Sequence, residues 1–278
     1  VTEAALLPAA LAAVMAIGAT VAIERWGGRI GGLLGTLPTT IVPATLGFFS
    51  ASASVEAFQD AVHVTPVGML VNVGFLYLWR VLPPRLPERW PLGVRLAVMV
   101  TVALGAWAAL AAGAVVGIGW LKGVGVEPVW VGWLATAVTL GVGVVACLNH
   151  VPAPKAARSV GVGTLLSRGV LAAAAIGGAV LLADVGGSLL AGMAAVFPAI
   201  FLTTMASLWF SQGAAVPTGA VGPMMLGSGS VSAYALGSAL TLPALGPGWG
   251  ALAAWGLAVG VVTVPAWLWL RSRGSREG

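Results

Sequence analysis

The sequence predicts an all-α, polytopic bundle of about nine transmembrane helices, and three observations predict it. The first is composition: 59% of 278 residues are hydrophobic and 8% are charged, with a mean hydropathy of +1.02. A water-soluble domain carries charge on about a quarter of its residues, so this chain has too little to cover a surface facing water. The second is segmentation. Apolar runs recur between charged or proline-rich punctuation, and a chain of this length has room for about eight to ten crossings of roughly 30 Å of hydrocarbon. The third is the placement of basic residues, which sort to one side of the membrane.

The candidate spans lie near 5–23, 30–49, 61–82, 94–118, 129–148, 164–183, 188–210, 215–240 and 249–270. With that segmentation, Arg25, Arg29, Arg80, Arg85, Arg89, Arg95, Lys155, Arg158, Arg168, Arg271, Arg273 and Arg276 fall on one side, and Lys122 alone on the other. By the positive-inside rule the N-terminus is expected outside and the C-terminus in the cytoplasm. The first run ends in Glu24-Arg25 and no basic n-region precedes it, so it reads as a retained helix and not as a cleavable signal. A bacterial inner membrane is the expected location.

The net charge of +5 follows from this topology and does not point to nucleic acid. Trp79, Trp90, Trp120, Trp130, Trp209, Trp249, Trp267 and Trp269 stand at proposed span ends, where they are expected to act as headgroup-level anchors. Cys147 is the single cysteine, so a disulfide within the chain is excluded, and it reads as a small core residue.

An internal repeat organises the spans. Gly27–Thr40, GGRIGGLLGTLPTT, has a counterpart in Gly187–Ile200, GSLLAGMAAVFPAI, at a constant offset of 160 residues that carries Pro38 onto Pro198, Gly32 onto Gly192 and Glu24 onto Asp184. Pro66 precedes Tyr77 by the same interval as Pro223 precedes Tyr234, and these are the two tyrosines of the chain. Repeat one covers 5–118 and repeat two 164–270, with a linker span and loop at 119–163. Because five spans precede the second copy, the copies enter the membrane with opposite orientation. Inverted repeats of this kind are a common plan of secondary transporters. The glycine pair, small-residue stretch and mid-span proline of each copy, followed by a helix with Pro and Tyr, resemble the GlpM-type family of small four-helix membrane proteins. The resemblance implies a fused, inverted duplication of such a unit, and it brings no activity with it.

The candidate site follows from the prolines. Pro38 and Pro43 in span two and Pro198 in span seven remove backbone hydrogen bonds at mid-depth, where broken backbone must be satisfied by protein or water. Thr36, Thr39, Thr40 and Thr45 flank the first break, and Thr203 and Thr204 follow the second. Spans three and eight add Asn72, Tyr77, Ser228, Ser230 and Tyr234. Gly222, Gly227 and Gly229 lead to the expectation that span eight has an unwound centre. Pro, Gly and Ser also occur in membrane helices for kinking and close packing alone, so the joint pattern carries more weight than any member. The substrate-binding set is therefore Thr36, Pro38, Thr39, Thr40, Asn72, Tyr77, Pro198, Thr203, Thr204, Ser228, Ser230 and Tyr234.

No ionisable residue falls near the middle of any span, and such a site of hydroxyls, amide and freed carbonyls suits a neutral or zwitterionic solute, a cation or a facilitated path. Arg168, about a turn inside the cytoplasmic end of span six, is expected to snorkel. Glu56, Asp60 and His63 are spaced along one helix face before span three and read as a solvated segment sooner than as a cation site. Phosphate-loop, nucleophile-elbow and zinc-protease motifs are absent, so no enzymatic activity, cofactor or metal is expected. The leading expectation is a secondary transporter or facilitator whose partners are the lipid bilayer and a small-molecule or ion substrate. The alternative is a non-transporting scaffold or assembly subunit, working with partner membrane subunits or as a homo-oligomer.

Overall fold

The computed structural model describes residues 2–26, 36–149, 161–184, 187–212 and 217–274, which form helices and turns with no strand among them. The glycine-rich segment 27–35, the basic residues Arg29, Lys155, Arg158 and Arg276, and His150 lie outside the described residues. In chain order the helices are α1 (Thr2–Trp26), α2 (Ile41–Ala51), α3 (Val55–Val81), α4 (Leu92–Gly123), α5 (Pro128–Leu148), α6 (Val162–Asp184), α7 (Ser188–Ala194) and α8 (Ala199–Gln212). The run Pro217–Ala258 is interrupted at Gly246, which has φ 76° and ψ 170°. It therefore comprises two helices, α9 (217–245) and α10 (247–274), the second passing through a π-helical turn at Val259–Thr263.

Five runs among the described residues are long and apolar enough to cross a membrane: Val55–Arg85, Leu92–Gly123, Pro128–Leu148, Ser188–Ala206 and Ala220–Arg273. Ala5–Gly18, Ile41–Ala51 and Leu165–Leu181 are shorter apolar helical stretches. The last long run has 54 residues. As one straight helix it would extend about 80 Å, against a hydrocarbon thickness of about 30 Å. It folds back instead. Thr241 Oγ1 donates to the Gly250 carbonyl at 2.7 Å and Thr263 Oγ1 to Ser230 Oγ at 2.9 Å. The paired numbers run in opposite senses, so α9 and α10 form an antiparallel hairpin. Its turn falls at Gly246, whose positive φ is open to a residue without Cβ.

Other contacts fix further helix directions. A Cβ on Gly177 would lie 3.4 Å from Ala9, and one on Gly169 2.9 Å from Ile17, so α1 and α6 are antiparallel. The backbone of α5 at Gly143 abuts Leu226, and Ala146 abuts Gly222, so α5 and α9 are antiparallel as well. Gly132 lies against the His63 carbonyl while Arg80 Nη1 donates to the Ala146 carbonyl at 3.2 Å, so α3 and α5 run in the same sense. Close approach at Gly132, Gly143 and Gly222 depends on the absent side chains. Span five, expected as a linker, is thus packed into the bundle between α3 and α9.

Charge divides between the two ends. At one end Arg80 reaches the carbonyls of Ala146 and Asn149, Arg95 reaches the Pro83 carbonyl, and Arg95 stands 5.8 Å over the Trp209 ring. At the other, Lys122 pairs with Asp60. Two of the expected membrane anchors are corrected here. Trp79 and Trp209 are fully buried and meet edge to face at 6.0 Å, because the helix ends that carry them pack on each other and not on lipid. Trp90, Trp120, Trp130 and Trp249 are exposed, as anchors are.

Span eight corrects a second expectation: α9 is helical through Gly222, Gly227 and Gly229. Gly222 accommodates the backbone of Ala146, and Gly229 the side chain of Leu140. Ser228 and Ser232 return their hydroxyls to carbonyls one turn back, at Met224 and Ser228. Helix packing therefore accounts for small residues that suggested unwinding.

Candidate functional site

Two proline-containing turns, each leading into a helix, form the candidate site. In the first, residues 36–40 form turns before α2 begins at Ile41. The Thr39 N–H donates to the Leu37 carbonyl at 2.6 Å, closing a three-residue turn over Pro38. In the second, residues 195–198 separate α7 from α8, and the Ala199 N–H donates to the Phe197 carbonyl at 2.7 Å over Pro198. The two turns share this i to i+2 hydrogen bond at positions 160 residues apart. Their cause is local. Proline supplies no N–H, and it disfavours helical geometry in the residue before it, here Leu37 and Phe197. Pro43 acts differently from the expectation: it sits in the first turn of α2, where its missing N–H would have no helical partner anyway.

Both turns border one cavity of about 60 Å³. Thr36 and Thr40 line it from the first break, Pro198 and Ala199 from the second, Asn72 from α3 and Ala172 from α6. The first turns of α2 and α8 both border it, and a helix N-terminus presents unpaired N–H groups and partial positive charge. The Val196 carbonyl, in the turn between α7 and α8, is held from α3: Asn72 Nδ2 donates to it at 2.8 Å, and Asn72 Oδ1 accepts from Trp107 Nε1 at 2.7 Å. Trp107 packs edge to face on Phe197 at 5.3 Å, so α3, α4 and the second break are fixed together.

Of the twelve residues expected at the site, Thr36, Thr40, Asn72 and Pro198 line the cavity, and Pro38 and Thr39 form the turn beside it. Thr203 lies a turn into α8, its hydroxyl donating to the Ala199 carbonyl at 2.8 Å, and Thr204 is partly buried. Ser228 and Ser230 are buried in the α9 packing surface and do not line the cavity. Tyr234 is buried away from the lining, with its hydroxyl 2.9 Å from Thr45 Oγ1, whereas Tyr77 is 54% exposed on the outer surface of α3. Because the Thr45 and Tyr234 hydroxyls are each other's buried partners, Thr45→Val is expected to lower unfolding free energy by about 1–3 kcal/mol. Thermal unfolding in detergent measures this, and an unchanged midpoint contradicts the assignment.

Sequence reasoning missed Trp107, Met69 and the α6 face at Ala172, Ala175 and Ile176. Only the helical spacing of the alanines could have pointed to that face. Arg168 is also corrected. It is 3% exposed and does not snorkel out of the protein. Asp60 is engaged with Lys122, and among the described residues no three His, Cys, Asp or Glu side chains gather at a position able to hold a metal ion. No protein-family model, curated protein or solved structure matches the chain.

Proposed function

We propose that the protein is a nine-span secondary transporter or facilitator in which two inverted halves each contribute a proline-broken helix to one midplane site. The observation that carries this reading is the convergence of the two matching turns, over Pro38 and Pro198, on a single cavity. Broken helices at corresponding positions of two repeats are the usual construction of a carrier's binding site. The helix directions support the topology. α1 against α6, α5 against α9 and α9 against α10 are antiparallel while α3 and α5 are parallel, as nine alternating crossings require.

The α1–α6 contact supports the inversion more specifically. Ala9 meets Gly177 and Ile17 meets Gly169, and adding the offset of 160 to 9 and 17 gives 169 and 177. The offset thus carries this antiparallel contact onto itself, as an inverted duplication requires. In this reading the arginine-bearing end is cytoplasmic. A scaffold role would leave the cavity between the breaks without a purpose.

The test is solute flux in proteoliposomes against a panel of anions, cations and neutral solutes. Thr36→Val with Thr40→Val is expected to slow flux about tenfold or more, the effect of losing one or two polar contacts to a desolvated solute at roughly 1.5–3 kcal/mol each. Unchanged flux in a monodisperse double variant contradicts the site.

A further inference from the structure

We propose that the corner between α3 and α4 binds the phosphate of an anionic phospholipid, held by Arg95 and the N-terminus of α4. The corner lies at the arginine-bearing end, none of its residues lines the cavity, and the inference does not depend on the transporter reading. Three observations carry it together.

The first is charge without a counter-charge. Arg80, Arg85, Arg89 and Arg95 stand in the segment 80–95, whose one acid is Glu88. Among the described residues none of the four pairs with a carboxylate. Arg80 reaches the carbonyls of Ala146 and Asn149, Arg85 that of Val81 and Arg95 that of Pro83. A carbonyl accepts a hydrogen bond but cancels no charge. The positive-inside rule accounts for the side on which these arginines stand. It does not account for the unpaired donors beneath them.

The second is a pair of buried donors without acceptors. Trp79 Nε1, in a fully buried residue, and Arg95 Nε are both enclosed and have no hydrogen-bond partner. Both side chains lie on the same ring: Trp79 meets Trp209 edge to face at 6.0 Å, and the Arg95 guanidinium stands 5.8 Å over it. The Trp209 indole N–H donates to the Leu92 carbonyl at 3.3 Å, which ties the cluster to the first residue of α4. No side chain caps that helix, and its first turn holds no acid. Buried polar groups are ordinarily paired, and an uncapped helix N-terminus adds further N–H donors and partial positive charge. The unpaired groups at this corner are thus donors. A phosphate supplies what they lack, acceptor oxygens and negative charge in a geometry that suits a guanidinium.

The third is position. Trp90, Leu92 and Val94 are exposed beside the arginines, and α4 runs along the outside of the bundle, with 17% of its most apolar stretch buried. An exposed tryptophan at the end of a span sits at headgroup level. Acyl chains therefore cover the flank of the same corner whose donors would meet the headgroup, which favours a lipid phosphate over free phosphate. Basic pockets between membrane helices at this level hold acidic headgroups.

The experiment titrates the full chain, in a neutral detergent, with phosphatidylglycerol, with phosphatidylcholine of the same acyl chains and with inorganic phosphate, and reads the bound species by native mass spectrometry. Phosphatidylglycerol is expected to bind about fivefold or more tightly than phosphatidylcholine, and the preference should shrink as potassium chloride is raised. Arg95→Gln should remove most of that preference and Arg95→Lys should keep part of it. Arg271→Gln, an exposed arginine over Trp267 on α10, should leave it intact. Gly93→Asp tests the site without disturbing the packing: nothing lies within 4 Å of a Cβ there, and an acid in the first turn of a helix is stabilising. Its carboxylate should take the place of the phosphate and abolish the preference. Equal affinity for the two lipids overturns the site, as does a wild-type preference in monodisperse Gly93→Asp or Arg95→Gln. Inorganic phosphate that binds as tightly as phosphatidylglycerol overturns the assignment to a lipid.

Discussion

Gly192→Leu is expected to collapse the second break and abolish flux. A Cβ at Gly192 would overlap the backbone carbonyl of Ala61 on α3, so even a methyl group forces α7 away from the helix it packs on. The obstacle is main chain and not the end of a flexible side chain, so it cannot rotate aside. Overpacking a well-filled interior costs about 1–3 kcal/mol in typical cases, and a leucine against backbone belongs at or above the upper end. Because α7 leads directly into residues 195–198, its displacement also moves Val196 out of reach of Asn72. Gly105→Leu on the exposed face of α4, where nothing lies within 4 Å of an added Cβ, is the control and should unfold at the wild-type midpoint. Equal midpoints and equal flux for Gly192→Leu and Gly105→Leu would contradict the packing described for α3 and α7.

Asn72→Leu is expected to produce the second largest loss. The amide is 2% exposed and joins three elements: α3, which carries it, the Val196 carbonyl at 2.8 Å and the Trp107 indole N–H at 2.7 Å. Leucine has similar volume but leaves a buried acceptor and a buried donor without partners, at about 1–3 kcal/mol each. The Val196 carbonyl beside the cavity would also lose its side-chain partner. Chemical or thermal unfolding should show a loss of several kcal/mol, and the double variant Asn72→Leu with Trp107→Phe should regain part of it by removing the stranded donor. No recovery in the double variant would mean that the two side chains do not share a hydrogen bond.

How much of this was legible in the sequence depends on what each residue does through the backbone and what it does through its side chain. Pro38 and Pro198 were legible because a missing N–H acts on the chain that carries it, whatever packs nearby. Both prolines stand in turns that lead into a helix, and Thr36, Thr40 and Asn72 line the cavity. Tyr77 and Tyr234 illustrate the limit. They occupy matching places in the proposed repeat, yet one faces out and the other is buried against Thr45. A linear match does not specify rotation about a helix axis, and within an apolar span there is no polar face to reveal it.

The same reason hid the α6 face and the burial of Trp79 and Trp209. In a chain that is apolar all round its helices, hydrophobicity does not distinguish a neighbour helix from lipid. The glycines of α9 misled for a related cause: close packing and unwinding ask for the same small residue, and only the partner backbone of Ala146 decides between them. Gly246 was the reverse case. Its turn lies between two expected spans, and the length of the apolar run alone required a fold-back.

The central claim is that the halves containing Pro38 and Pro198 cross the membrane in opposite orientation. Residues 24 and 184, equivalent under the offset of 160, end α1 and α6 at opposite ends of an antiparallel pair. In a Cys147→Ala background, single variants Glu24→Cys and Asp184→Cys can be exposed to a membrane-impermeant maleimide, first in intact cells and then after permeabilisation. Position 184 is expected to label in intact cells, and position 24 only after permeabilisation. Labelling of both positions from the same side would contradict the inverted arrangement, and the shared site would go with it.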